Sequence, residues 1–448
     1  MKSKENPLFH ASRRDFLKTT GVIAAGAALV GAAVPKVHAG ESNTIRVGLV
    51  GCGGRGGGAI RQALNTGPTK LVAIGDAFDY RAKNTLAALQ KDGHYASKID
   101  CGDRIFGGLD NHKKVIDCLE PGDVVILATP PSFRPHYYAY AVEKGVHAFV
   151  EKPVGVDTPG CKKMLAANEI AKQKNLKIGV GLNNRHYFRT EETVKAIQDG
   201  AIGEIIACWV YRMHGPFPYI NDPKLNAIQN QLLGFQNWTW GSGSFMVDWM
   251  IHNIDICCWA RGDMLPVSVQ GQGGRQVRTS NDQMFDHAAY EYRFDDGVKM
   301  MVQLRQIAKT YSSFRSVIHG TKGCAVVGEG VRDPIIYKSL KEASDNIAWK
   351  PQADTCDSYQ EEHNRLFQAI REDKPWNEIQ RGVDATFTSI MGRMAVHSGQ
   401  ELSRETCWAS TYEMCPNIEN LTMNSEPPVK PNEFGLYTQA KPGETKEY

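Results

Sequence analysis

Seven glycines fall within eleven residues at 48–58, GLVGCGGRGGG, directly behind the apolar run 45–47. A glycine inside a regular element costs roughly 0.5–1 kcal/mol relative to alanine, because it gives up more backbone entropy on folding. Such a concentration has two physical readings: a flexible linker, or a place where something must come close to the backbone. The flanking pattern separates them. Residues 45–50 read as a short buried strand, 58–65 as a helix and 70–75, KLVAIG, as a second strand. Linkers are not bracketed by a strand–helix–strand unit. Within the run, GCGGRG matches G-x-G-x-x-G at Gly51, Gly53 and Gly56, with Gly54 and Arg55 between them. A lone match is weak, but this one follows a strand, opens a helix and precedes an acidic residue, Asp76, where the second strand ends. Gly51 permits the tight turn, Gly53 lets the backbone approach a pyrophosphate, and Gly56 allows close helix–strand packing, while N–H groups at the helix start bind the anion. Asp76 would accept hydrogen bonds from ribose hydroxyls and repel a 2′-phosphate, which favours NAD over NADP.

The same alternation continues. Buried strands are expected at 122–128, 146–150 and 177–180, with helices at 136–144 and 159–174, the pattern of a doubly wound parallel sheet. Ligands bind at the carboxyl edge of such sheets. Thr129 and Pro130 of ATPPS stand at one strand end there, and Glu151 and Lys152 of EKP at the next. Further on, the rhythm changes. In 288–305 apolar residues take every second position on both sides of Asp296-Gly297, which predicts a hairpin with one apolar face. A second hairpin is expected within 315–328 and a strand at 204–213, so an antiparallel sheet follows the parallel one. Helix is expected within 358–398, and the tail from 415 reads as irregular.

Charge and cysteine content narrow the function classes. Of the net +3 over 448 residues, residues 1–39 carry six Lys/Arg against two acidic side chains, a net of +4, which leaves −1 for the remainder. Nothing there suggests a nucleic-acid binder. The basic start reads SRRDFLK, followed by a Gly/Ala-rich run at 21–34 and small residues at 37–39. That run is short for a hydrocarbon core of roughly 30 Å, and the layout is that of a signal peptide. The paired arginines resemble the twin-arginine export signal; an uncleaved anchor or a disordered tail is the alternative. Twin-arginine substrates cross the membrane folded, often with a cofactor already loaded. Eleven cysteines include no CxxC pair, and adjacent Cys257 and Cys258 suit neither one zinc ion nor a mutual disulfide. They read as small buried hydrophobes.

The second functional stretch is GSGSFMVDWMIHNIDICCW at 241–259. On a helix, Asp248, His252 and Asp255 at i, i+4 and i+7 share one face. A neutral imidazole is a suitable base near pH 7; a metal held by these three side chains is another chemistry the spacing allows, and Asp255 leans structural. Taken in order, the strand with GCGGRG, ATPPSFRPH, EKP and DWMIH resemble the Gfo/Idh/MocA family over roughly residues 44–400. The resemblance implies an α/β chain with an N-terminal Rossmann domain (40–155, after a leader at 1–39), an α+β domain with a large, mostly antiparallel sheet (156–414) and an irregular tail (415–448). It implies a tightly held NAD, a homo-oligomer, and no metal. It assigns Lys152, Asp248 and His252 to the catalytic group, and places Arg185 and Asn184 near substrate; Arg212 is a further candidate. The expected activity is that of an exported NAD-dependent oxidoreductase moving hydride to or from a secondary alcohol of a sugar, sugar acid or cyclitol. An NAD-dependent glycosidase using transient oxidation, and a non-catalytic sugar-binding protein on the same fold, are the alternatives.

Overall fold

A computed structural model describes residues 43–448, so the leader expected at 1–39 lies outside the described residues. Six strands form a wholly parallel sheet: β1 (Ile45–Val50), β2 (Thr69–Gly75), β3 (Ile105–Phe106), β4 (Val124–Leu127), β5 (His147–Val150) and β6 (Ile178–Val180). Their order is β3-β2-β1-β4-β5-β6. Period-two alternation explains why these strands carry apolar residues on both faces. Val124 and Ile126 enter the core on one face, Val125 and Leu127 the core on the other, as parallel sheets covered on both sides require. The order reverses between β1 and β4, which opens a crevice beyond their carboxyl ends. The helix after β1 runs Gly54–Leu64 and begins four residues ahead of the expected 58, with Gly57 N–H already donating to the Gly53 carbonyl at 2.9 Å. Glycines carry no side-chain periodicity, so the pattern becomes visible only at Ala59 and Ile60. The sheet takes β6 from beyond residue 155.

The second sheet has nine strands: β7 (Ile205–His214), β8 (Ser268–Gly274), β9 (His287–Arg293), β10 (Lys299–Gln306), β11 (Ser313–Gly320), β12 (Gly323–Val327), β13 (Ile335–Tyr337), β14 (Ile347–Trp349) and β15 (Leu402–Ser403). In the order β14-β13-β12-β11-β7-β10-β9-β8-β15, all neighbours are antiparallel except β7 and β10. Both expected hairpins are present, as β9–β10 and β11–β12. The expected helical stretch resolves into Ser358–Arg371 and Ile379–Ser398. The first buries Leu366, Phe367 and Ile370 on the outer face of the parallel sheet. The second is buried almost throughout and touches β8, β9 and the helices Thr158–Gln173 and Ile251–Ala260. One apolar cluster runs from the inner face of the parallel sheet into the antiparallel one, which fixes the two sheets about the crevice. All eleven cysteines are free thiols, nine of them buried.

Candidate active site

The glycine loop is built as a cradle. Gly51 has φ +95°, and a Cβ there would lie 2.7 Å from the Ala128 carbonyl; one on Gly56 would lie 1.8 Å from the Gly51 oxygen. Gly53 and Gly54 face open space, and the helix that starts at Gly54 has no side-chain cap and no acidic residue in its first turn. An anion therefore has both room and a favourable dipole. Asp76 accepts from Cys52 N–H at 2.6 Å with one oxygen and from Phe78 N–H at 2.9 Å with the other. Each carboxylate oxygen keeps a lone pair for a ribose hydroxyl. Burial raises the Asp76 pKa, and Arg81 acts against this. Gly51, Gly53, Asp76, Arg81, Thr129 and Pro130 line a cleft with about 590 Å³ of empty volume. Two of its side-chain oxygens, Thr129 Oγ1 and Asn111 Oδ1, are buried without a partner. Orphaned buried oxygens, an open cradle and an acidic strand end together fit a dinucleotide.

At the far end of the crevice, Lys152 Nζ donates to the Asp248 carbonyl at 2.6 Å and to Asp248 Oδ1 at 3.3 Å, while Gln236 Nε2 donates to Asp248 Oδ2 at 3.2 Å. Lys152 and Asp248 side chains are only 15% and 10% exposed, and His252 is 4%. His252 Nε2 lies 3.8 Å from Glu329 Oε2, and the same oxygen lies 3.7 Å from Arg212 Nη1. Burial holds His252 well below the ordinary imidazole range, and Lys152, Arg212 and Arg55 push it the same way. Burial likewise carries Arg212 down to about 10, with Glu329 opposing, and raises Glu329 against the pull of Lys152 and Arg212. Arg212 stands on β7 opposite Phe314 of β11, its guanidinium 3.4 Å from that ring and 4.5 Å from the Trp249 ring. The structure thus brings Lys152, Asp248, His252 and Arg212 into one polar cluster.

The single helix expected to carry Asp248, His252 and Asp255 is instead two, Phe245–Asp248 and Ile251–Ala260. Asp255 leaves the cluster to accept both Nε and Nη2 of Arg185 at 2.8 Å, and Asp263 takes a further bond from Arg185 Nη2 at 2.6 Å. Arg185 is therefore held in a buried ion-pair network and is not brought to the site as a substrate ligand. The same pairing removes Asp255 from any metal set, and no cluster of three or more metal-ligating residues occurs among the described residues. Asn184 lines an open recess of about 1010 Å³ together with Tyr359 and Glu329, and Glu329 joins that recess to the polar cluster. His136 contacts Lys163 and Glu419 in another recess. Arg55 and Glu151 are joined by two contacts of 2.7 Å, with Arg55 over the Tyr359 ring at 4.3 Å. Sequence reasoning missed Glu329, Gln236, Trp249 and Arg134. The last is buried and donates to the Thr129 and Pro153 carbonyls, tying the two strand ends together. Its signal was present in ATPPSFRPH, as that of Trp249 was in DWMIH; Glu329 and Gln236 stand in no motif.

Residues 45–182 match the model of an oxidoreductase family with an NAD-binding Rossmann fold, and 191–326 match the GFO/IDH/MocA C-terminal domain. The chain belongs to the Gfo/Idh/MocA oxidoreductase family. Residues 10–30 of this Gfo/Idh/MocA protein match the twin-arginine translocation signal, and among the described residues no helix is long and apolar enough to cross a membrane. Inositol 2-dehydrogenase of Rhizobium meliloti (strain 1021) is 23% identical over 296 residues, 64% of this chain and 77% of that protein. A glycosyl hydrolase family 109 protein of Shewanella sp. (strain W3-18-1) is 25% identical over 228 residues, 47% of this chain; the match spans only 46% of that relative's length. Levoglucosan dehydrogenase, solved with NADH and L-sorbose, shares the fold with a TM-score of 0.62 at 17% identity, covering 80% of this chain and 98% of that one.

Proposed function

We propose that this protein is an exported NAD-dependent oxidoreductase that acts on a secondary alcohol of a sugar, sugar acid or cyclitol, works as a homo-oligomer, and keeps its cofactor tightly bound. The observation that carries this reading is the Lys152–Asp248 contact with buried His252 beside it, at the end of the glycine cradle. When bound, the nicotinamide supplies the hydride acceptor or donor. Gly53, Gly54 and the first helical turn would hold its pyrophosphate, Asp76 its adenosine ribose, and Thr129 and Pro130 the nicotinamide side. Lys152 donates to the reacting oxygen and fixes it in place. His252, held neutral by burial, takes the hydroxyl proton as hydride leaves. Asp248 anchors the Lys152 ammonium and balances its charge.

Export supports a retained cofactor, because free NAD is scarce outside the cytoplasm. The test is mass spectrometry of protein purified from the periplasm and mildly denatured, with a parallel panel of polyols followed by nicotinamide absorbance. NAD(H) released in near-stoichiometric amount and absorbance change with a panel member are expected; neither nucleotide nor turnover would overturn the proposal. Relatives named glycosyl hydrolase family 109 support a second reading, transient oxidation of a glycoside, elimination and re-reduction. Release of aglycone with no net change in NADH would favour that reading.

A further inference from the structure

Around Glu329, three side chains present buried polar atoms without hydrogen-bond partners: Glu329 Oε2, Arg212 Nε and Nη1, and His252 Nδ1. Buried polar groups in native proteins are almost always satisfied, and each orphan costs a desolvation penalty. Orphans on three neighbouring side chains mark a place where a ligand or water completes the bonding. The groups are held, not mobile. Glu329 N–H donates to Asn253 Oδ1 at 2.9 Å, and Asn253 is the residue after His252. The Arg212 guanidinium stands over the Phe314 and Trp249 rings. Separations of 3.7 and 3.8 Å from Glu329 Oε2 to Arg212 and His252 are too long for direct hydrogen bonds.

We infer that Glu329 is a specificity-determining residue that touches substrate and, paired with Arg212, selects a neutral polyhydroxylated ligand over its carboxylate-bearing counterpart. This rests on the oxidoreductase reading and deepens it, since that reading leaves sugars, sugar acids and cyclitols equivalent. The chemistry follows from donors and acceptors. A carboxylate only accepts and a guanidinium only donates, so neighbouring hydroxyls, which do both, satisfy the two together. A substrate carboxylate cannot donate to Glu329. The charges agree: Asp248 and Glu329 offset Lys152 and Arg212 around the cluster, while Arg55 is already engaged by Glu151 and approached by Glu362. Within the set Lys152, Arg212, Asp248 and Glu329 the charges balance, which leaves no unpaired cation beside Glu329 for an anionic ligand. The recess that Glu329 shares with Asn184 and Tyr359 gives it an open approach.

The test uses matched pairs that differ only at C6: glucose with glucuronate, galactose with galacturonate, and myo-inositol as a neutral control. Each is titrated calorimetrically into NAD-loaded wild type, Glu329→Gln and Glu329→Asp. Wild type is expected to prefer the neutral member by about tenfold or more, the scale of one charge-assisted hydrogen bond. Glu329→Gln, which can donate and carries no charge, is expected to reduce or reverse that ratio by at least about tenfold. Glu329→Asp should retain its direction, and NAD affinity should stay unchanged in both variants. Equal or tighter binding of the uronates by wild type would overturn the inference, as would a Glu329→Gln ratio equal to that of wild type. Binding of no panel sugar by protein that does bind NAD would instead remove the substrate reading and this inference with it.

Discussion

His252 shows how one residue's surroundings set its chemistry. Removed from water and faced by Lys152, Arg212 and Arg55, it is held well below the ordinary imidazole range, so it stays a neutral proton acceptor through the physiological range. Replacing it with alanine is expected to lower kcat by about 10²–10⁴, the usual loss when a positioned acid–base group is removed. Fluorescence titration should find NADH affinity unchanged, and for wild type the acid limb of log kcat should lie below about pH 6.5, the ordinary imidazole value. A limb at or above that value would show that another group takes the proton. Glu329 shifts in the opposite direction, raised by burial above the ordinary carboxylate range. Protonation removes its negative charge, so the preference for glucose over glucuronate should narrow as the pH falls through this titration, and Glu329→Gln should show no such narrowing. Lys152, Asp248 and His252 were legible because each stands in a short motif beside a strand end or on a helix turn. Glu329 was not: it follows β12 in a loop, with no spacing to its partners. Arg185 misled for the same reason, since its partner Asp255 lies 70 residues away in sequence and only the folded chain shows the pair.

Elements were legible wherever side chains report the local period. The alternation at 288–305 and the apolar runs of β1, β4 and β5 located strands to within one or two residues, because the hairpin buries one face and the parallel strands bury each face in a different core. Two places escaped this logic. One is the break between Phe245–Asp248 and Ile251–Ala260, where continuous apolar residues gave no hint that the helix stops. The break lets Asp248 meet Lys152 while Asp255, on the next helix, meets Arg185. The other is the start of the Gly54–Leu64 helix, hidden by glycines that serve packing. Gly56 gives the sharper test, since an added Cβ would lie 1.8 Å from the Gly51 oxygen and the loop or the helix must move. Gly56→Ala is expected to cost about 1–3 kcal/mol, the range for overpacking a tight site. Because the displaced atoms belong to the cradle, NADH affinity should fall as well. Gly57→Ala, whose Cβ would meet only the end of Arg61 at 3.6 Å, should bind NADH like wild type. Equal affinities for the two variants would mean that the loop does not carry the pyrophosphate.

Across the whole molecule, the two halves of the crevice are joined by a buried cation that the C-terminal tail neutralises. Arg393, on the central helix and fully buried, donates from Nη1 to the Val156 carbonyl at 2.6 Å and to the Gly243 carbonyl at 3.2 Å. Val156 follows the EKP segment and Gly243 precedes Asp248, so one guanidinium holds the chain on both sides of the Lys152–Asp248 contact. Its Nε donates to Glu447 Oε2 at 2.9 Å, and His397 Nδ1 lies 2.7 Å from Glu447 Oε1. The tail from 415, whose one regular element is the short turn Ile418–Asn420, is thus a structural clamp despite its irregular backbone. Removing one member of a buried pair leaves an uncompensated charge, so Glu447→Ala is expected to cost roughly 3–5 kcal/mol and to lower both the thermal and the urea midpoint. The pH dependence has a definite sign. Burial opposes ionisation of Glu447, yet Arg393 and His397 carry it down to about 2, below the unfolded value of about 4.3. The clamp's contribution is therefore fully present above that unfolded value and lost as the pH falls toward 2. Melting curves of wild type and Glu447→Ala should lie far apart at pH 7 and converge below about pH 4; a gap of constant size down to pH 3 would place the stabilisation elsewhere than in this ion pair.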